Sequence, residues 1–389
     1  MKRRRKRKIA AAARIALLLL LPSAIAAAGS GIKALRESAC AKKVLTEAGT
    51  PSAEAAAKDS DLESQYKRIF GYDTGSIPVS EGYGTEAETT SPAEVKLKSP
   101  LEMRSDSPGA KPYPEVWSTG GSIVRNTYQP YSGDCFFDLE NGGQVNNKTD
   151  IPNEELMRES RCLPNFTVSD ISEPQVLIYH THTTESFEPF VRENYDTEFN
   201  YRTTDETKNV VMVGDAIQAE LEAQGIGVIH IRTIHDYPSY NGSYGRSRES
   251  ILPVLEEYPS IKVALDIHRD AISGDGIAYQ PFIKENDKEA AQIMIISGCD
   301  DGTLDMPNYM KNFHFACALQ QKLESDHKGL TRPILFDYRH YNQDLTTGSL
   351  LIEVGSHCNT LEQVQYSGQL FGRSLGELLC SMKRRNNGT

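Results

Sequence analysis

Residues 176–187 read VLIYHTHTTESF. A short apolar run stops at two histidines one residue apart, and a glutamate follows three residues after the second. A run of this length and β-branched content predicts a buried strand. Five more such runs follow it: 227–233 (GVIHIRT), 262–268 (KVALDIH), 291–298 (AQIMIISG), 332–339 (RPILFDYR) and 349–355 (SLLIEVG). Helical patterns lie between them. In 209–225 (NVVMVGDAIQAELEAQG), Val210, Val213, Ile217 and Leu221 form one stripe that stops at Gly225. SRESILPVLEEYP, PNYMKNFHFACALQQKLESDHKG and the terminal TLEQVQYSGQLFGRSLGELLCSMKRR supply the other helices. Strands that alternate with helices predict an α/β fold, a mostly parallel sheet flanked by helices.

Upstream the texture differs. The 389 residues carry a net charge of −11, yet positions 2–8 (KRRRKRK) hold seven positive charges, which leaves −18 for the remainder. A body that acidic does not read as a nucleic-acid binder. The basic head precedes IAAAARIALLLLLPSAIAAAG at 9–29. About 20 apolar residues suffice to span a bilayer core, and a cationic flank places that end in the cytoplasm. The length favours an uncleaved anchor. The second reading is a cleaved signal peptide, on the small residues near Ala26–Gly29. Either way the working domain is expected outside the cytoplasm, as a single-pass protein of the cell membrane.

Residues 30–112 are expected to be a flexible acidic linker. The stretch from 41 is rich in Ala, Ser, Thr, Glu and Pro, too poor in large apolar side chains to offset the cost of ordering. As a coil, its roughly 70 residues would span on the order of 45–50 Å. DLESQYKRIFGY within it has the pattern of a short helix. Residues 113–173, with Trp117 and several turn signals, read as an N-terminal extension packed on a catalytic domain at 174–386. Seven cysteines are scattered without a close pair, so neither a zinc ribbon nor a thioredoxin motif is present, and no disulfide pairing is assigned.

Ligands of open α/β sheets gather at the carboxyl ends of strands. Three predicted strands turn polar there: one at His180-Thr-His182-Thr-Thr-Glu185, one at His268 in DIHRDA, one at Glu353 in IEVGSHCNT. Two imidazoles and a carboxylate are a known catalytic zinc set that leaves one position for water. His182, Glu185 and His268 are the expected ligands, with His180 and Glu206 as alternates. Glu353 is the expected catalytic residue, since a proton must pass from water to the leaving amine. Asp266, two residues before His268, shares its strand face and is placed to hold the imidazole in one tautomer. The plainer readings are a structural role for each histidine, a helix-capping role for Glu185, and a loop pair for Arg269 and Asp270. A thiol mechanism at His357-Cys358 is the weaker alternative, because adjacent residues do not readily form a nucleophile–base pair.

VLIYHTHTTESF, DIHRDA and YNQDLTTGSLLIEVGSHCNTLEQ, in that order behind an N-terminal membrane segment, resemble the stage II sporulation protein P family. The similarity runs over roughly 145–383 and takes in QVNNKTDIPNEEL. That family is in turn similar to zinc-dependent N-acetylmuramoyl-L-alanine amidases. The resemblance implies an amidase-like fold, Zn²⁺ as cofactor, and peptidoglycan hydrolysis during engulfment in sporulation, at the amide between N-acetylmuramic acid and L-alanine. It places His182 and His268 as metal ligands and Glu353 as general base. For the metal-binding glutamate, the wider amidase pattern points near Glu206 and the sporulation family's own HTHTTESF points to Glu185. It implies further an endopeptidase activity on stem peptides. The implied partners are peptidoglycan, the membrane, and the lytic transglycosylase stage II sporulation protein D in a membrane complex. A zinc carboxypeptidase of the wall, or a wall-binding scaffold without catalysis, are the competing readings.

Overall fold

In the computed structural model, residues 110–382 are described, apart from 129 and 169–172. The expected anchor at 1–29, the linker at 30–112 except its last residues, and the short helix at 61–72 lie outside them. Among the described residues no helix is long and apolar enough to cross a membrane.

In chain order the elements are β1 (Gly121–Asn126), β2 (Phe136–Asp138), β3 (Gln144–Asn147), α1 (Asn153–Glu159), β4 (Pro174–Tyr179), β5 (Asn194–Tyr195), α2 (Val210–Ala223) and β6 (Gly227–His230). There follow α3 (Ser243–Glu257), β7 (Val263–Asp270), β8 (Ser273–Gly274), β9 (Ile277–Glu285), β10 (Lys288–Ala291) and β11 (Ile293–Cys299). The last are α4 (Tyr309–Asp326), β12 (Ile334–Tyr338), β13 (Ser349–Ser356) and α5 (Leu361–Ser381). All six strands expected from the apolar runs are present.

The main sheet has eight strands in the order β2-β3-β12-β11-β13-β7-β4-β6. Only the β2/β3 and β11/β13 pairs are antiparallel, so the sheet is mostly parallel, as expected. Helix-containing crossovers join neighbouring parallel strands, β4 to β6 through α2 and β11 to β12 through α4. β4 shows why its sequence is apolar throughout: all six residues are buried. Val176 and Ile178 enter the core cluster that contains Val213 and Ile217 of α2. Leu177 and Tyr179 face the opposite way, into a second cluster with Ile251 and Val254 of α3. A strand covered on both faces loses its polar alternation.

A second sheet, β10-β9-β1-β5 with β8 on β9, was not expected. The extension at 113–173 supplies strands to both sheets: β3 runs parallel to β12, and β1 parallel to β9. It is therefore part of the hydrogen-bonded framework as well as of the packing.

α2 starts at an N-cap, Asn209, whose side chain accepts from the Val211 amide at 3.0 Å. α5 starts at a capping box of Thr360 and Gln363. α5 then lies close on α2 because glycines recur every fourth residue on the contact side. A Cβ at Gly368 would stand 3.0 Å from the Val213 carbonyl oxygen, and one at Gly372 2.8 Å from that of Ile217.

Candidate metal centre

Strands β13, β7 and β4 are adjacent and parallel, so their carboxyl ends open on one edge. The three polar strand ends meet there. In the register of β13 against β7, Glu353 stands opposite His268. The pairing shifts between Glu353 and Ser356, where Gly355 takes a φ of 65°. A bulge of this kind re-aims side chains at a sheet end. His182 arrives from the turn after β4. Its ring centroid lies 5.2 Å from that of His268, edge to face at 82°.

His182 is held from several sides. Tyr240 stacks on it at 4.5 Å and Tyr244 meets its edge at 5.5 Å. The hydroxyl of Ser243, at the start of α3, lies 3.3 Å from Nδ1. Nε2 makes no hydrogen bond among the described residues. Burial, and then the charge of His268, bring the His182 imidazole down to about 4.

Glu185 is buried. One of its oxygens lies 3.5 Å from His268 Nδ1 and accepts the Arg269 amide at 3.2 Å. The other faces the Arg202 guanidinium at 3.3 Å. Burial would raise its pKa, but Arg269, His268 and Arg202 together hold it well below the usual carboxylate range. His268 Nε2 is 2.8 Å from Asp266 Oδ1, the partner that strand periodicity indicated. Burial works against charge on this ring, yet Asp266 and Glu185 push the imidazole well above its ordinary value. Asp266 is itself anchored by the amide and hydroxyl of Thr181, at 2.8 and 2.7 Å.

Glu353 is half-buried, and its Oε2 is shut away from water with no hydrogen-bond partner among the described residues. Burial first, then the charge of Asp270, push its carboxyl up to about 8, against the pull of His268. A lone carboxylate oxygen in such a place is costly without a counter-charge.

The two alternates are placed elsewhere. The strand ends at Tyr179, so the two-residue alternation does not carry on to 182. The His180 ring is consumed inside the protein, with Nδ1 2.9 Å from the Ile267 carbonyl and Nε2 2.7 Å from His230 Nε2. Glu206 lies 3.5 Å from Arg232 and lines a separate cavity of about 740 Å³ that contains none of the expected ligands. Arg269 and Asp270 do not pair through their side chains. Arg269 donates to the carbonyls of Ser186 and Tyr201, at 3.1 and 3.0 Å, while Asp270 pairs with Arg332 at 2.9 Å. The reason is position: the Arg269 guanidinium is buried among these carbonyls, while Asp270 stands at the less buried end of β7. Cys358 is fully buried, and burial pushes its thiol far up, which removes the thiolate that a nucleophile needs.

Arg202, Arg332, Tyr240 and Tyr244 carried no sequence signal, because each reaches the site from a loop or helix distant in the chain. Arg269 did have one, its adjacency to His268, read there as a loop pair.

The donor types suit a divalent cation of the zinc class: two imidazoles, one buried carboxylate, and a second carboxylate with an unsatisfied oxygen. Two of these donors also have rival partners, Asp266 for His268 and Arg202 with Arg269 for Glu185. The set is correspondingly loose. Among the described residues, the trio whose donor atoms all lie within 4.8 Å of one another is a different one, Glu159, Cys162 and His314.

The model of the family Stage II sporulation protein P matches residues 127–376. Stage II sporulation protein P of Bacillus subtilis (strain 168) is 29% identical over 224 residues, which cover 54% of this chain and 52% of that protein. The chain thus matches about half the length of this curated relative. Among solved structures, N-acetylmuramoyl-L-alanine amidase AmiC2 of Nostoc punctiforme is similar at a TM-score of 0.32 and 10% identity, over 53% of this chain and 95% of that one. The CwlD amidase from Clostridioides difficile, solved in complex with the GerS lipoprotein, is similar at 0.32 and 12%, over 53% and 98%. An N-acetylmuramoyl-L-alanine amidase from Clostridium difficile 630 follows at 0.30 and 18%, over 52% and 94%.

Proposed function

The chain belongs to the stage II sporulation protein P family, and we propose that it is a zinc-dependent peptidoglycan hydrolase that acts during engulfment in sporulation. Its bond is the amide between the lactyl group of N-acetylmuramic acid and L-alanine. The observation that carries this reading is the unsatisfied Glu353 carboxylate standing opposite His268, beside His182 and Glu185, at the ends of adjacent strands.

In this reading His182, Glu185 and His268 hold Zn²⁺. When bound, the ion supplies Lewis acidity toward the amide carbonyl and brings the pKa of water down to about 7. The chain's own groups do the rest. Asp266 keeps a proton on His268 Nε2 and so reserves Nδ1, on the Glu185 side, as the donor. Ser243 and Tyr240 fix the orientation of His182. Glu353 takes a proton from the attacking water as its oxygen bonds to the carbonyl carbon. It then returns that proton to the alanine nitrogen as the C–N bond breaks, leaving a lactyl carboxylate and a free stem peptide. Residues 1–29 would anchor the domain to the membrane on its outer side, where stage II sporulation protein D would be its partner in a membrane complex.

The full chain, loaded with zinc, is expected to release free stem peptides from purified peptidoglycan. Glu353→Gln should keep its zinc and lose about 10²–10⁴-fold in turnover, the range of a general acid–base group. Digestion at the wild-type rate by Glu353→Gln would discredit that role. Release of a terminal amino acid would mark a carboxypeptidase, and absence of metal a scaffold.

A further inference from the structure

Well away in sequence from that centre, three different donor types converge. Glu159 is the last residue of α1, and Cys162 follows three residues later. The Cys162 amide donates to the Glu159 carbonyl at 2.9 Å, a tight turn that puts both side chains on one side. His314 faces them from the second turn of α4. Its Nε2 lies 2.7 Å from Glu159 Oε2, and the Cys162 sulfur lies 3.9 Å from the same oxygen. One nitrogen, one sulfur and one oxygen thereby fall within 4.8 Å of one another, with all three residues half-buried.

A histidine–glutamate ion pair explains two of these groups and leaves the thiol without a purpose. Beside a carboxylate, a thiol gains little, because its own ionised form is repelled. A cation between them reverses that repulsion, since thiolate and carboxylate then share one counter-charge. The distances are close to what an ion needs. From zinc–nitrogen and zinc–oxygen bonds of 2.0–2.2 Å at a tetrahedral angle, the two donors stand about 3.3 Å apart. Opening the His314–Glu159 contact by roughly 0.6 Å suffices, and partial exposure leaves an entry path and a fourth position for water.

We propose that Glu159, Cys162 and His314 form a second site for a zinc-class divalent ion, which clamps the segment 153–162 to α4. The site lies outside the hydrolytic centre and stands or falls independently of it. Thiolate is a ligand here, whereas the proposed hydrolytic set contains none.

The difference gives a direct spectroscopic test on the full chain, reduced and loaded with Co²⁺. A thiolate-to-cobalt charge-transfer band is expected in the near ultraviolet for the wild type. It should persist in His182→Ala, which impairs only the hydrolytic set, and disappear in Cys162→Ser and His314→Ala. Zinc content should fall by one equivalent in Cys162→Ser. Glu159→Gln, a near-isosteric change at a half-buried position, should fold normally and bind more weakly by at least about tenfold, within the range for weakened metal ligation. No thiolate band in the wild type, or a band that survives Cys162→Ser, would overturn the proposal. Loss of one zinc equivalent in His182→Ala with the cobalt band retained would show the two sites to be separate, whereas retention of the full zinc content in His182→Ala would count against the hydrolytic centre and leave this one standing.

Discussion

At the residue scale, the pair His357-Cys358 illustrates how burial decides chemistry. On paper, an imidazole next to a thiol suggests a nucleophile and its base. In the fold, both side chains are buried, and His357 packs against Tyr195 and Tyr201, with no carboxylate paired to its ring among the described residues. Burial, then the charge of Arg269, lower the His357 imidazole to about 3. The folded pKa is thus below the unfolded value of about 6.5, so the unfolded chain binds more protons between the two. The stability contribution is intact above pH 6.5 and is lost as the pH falls toward 3. At pH 5 the loss is about 2 kcal/mol. His357→Gln removes the titration. Thermal midpoints measured from pH 7 to pH 5 should therefore fall less steeply for His357→Gln than for the wild type. Parallel slopes would show that His357 is not held neutral in the folded state.

At the element scale, what was legible depended on whether an element buries apolar or polar groups. The six expected strands were readable because each is built around a short apolar run, which covering both faces makes continuous in β4. β9 was not, because its inward positions include Gln280, a fully buried amide whose hydrogen bonds run to the Cys358 carbonyl and to Arg125. Pro281 follows it, a residue that argues against a strand. The His180 ring turns to the Ile267 carbonyl and to His230, and His182 departs from the strand's alternation because the strand ends at Tyr179. The α2–α5 contact shows the same dependence on tertiary context. A glycine inside a helix costs about 1 kcal/mol relative to alanine, so Gly372→Ala ought to stabilise α5 taken alone. Against α2, the new Cβ would meet the Ile217 carbonyl oxygen at 2.8 Å and the Ile217 Cα at 3.0 Å. Backbone cannot yield as a side chain can, and overpacking costs about 1–3 kcal/mol. Gly372→Ala is therefore expected to lower stability by up to about 2 kcal/mol once the propensity gain is subtracted. The atoms nearest a Cβ at Gly376 belong to the side chain of Gln224, which can swing aside, so Gly376→Ala should be neutral or slightly stabilising. Denaturant midpoints of the two variants test the contrast, and equal destabilisation would contradict it.

At the scale of the whole molecule, the question is where the folded body begins. The histidines and the glutamate of the proposed centre all follow residue 174, which suggests a catalytic domain that starts there with an accessory segment before it. The strand pairing argues otherwise. Removing the residues before 174 would strip β3 from the side of β12 and β1 from the side of β9. It would also take Val145 and Leu156, both fully buried, out of the main core. Losing two such side chains costs several kcal/mol on the scale of core truncations, out of a total stability of about 5–15 kcal/mol. The exposed edge of β12 would present unpaired backbone groups, a template for aggregation. The lone tryptophan adds a further tie, since Trp117 packs edge-on to Phe199 at 5.3 Å and lies under the Arg192 guanidinium at 4.6 Å. Limited proteolysis of the full chain should consequently leave a resistant fragment whose N-terminus precedes Gly121, and a chain begun at residue 174 should be insoluble or unfold without a cooperative transition. Mass measurement of the fragment decides the matter. A stable product trimmed to about residue 174 that kept a cooperative melt would mean that the extension is dispensable to the fold, and that its strands are dressing on a body complete without them.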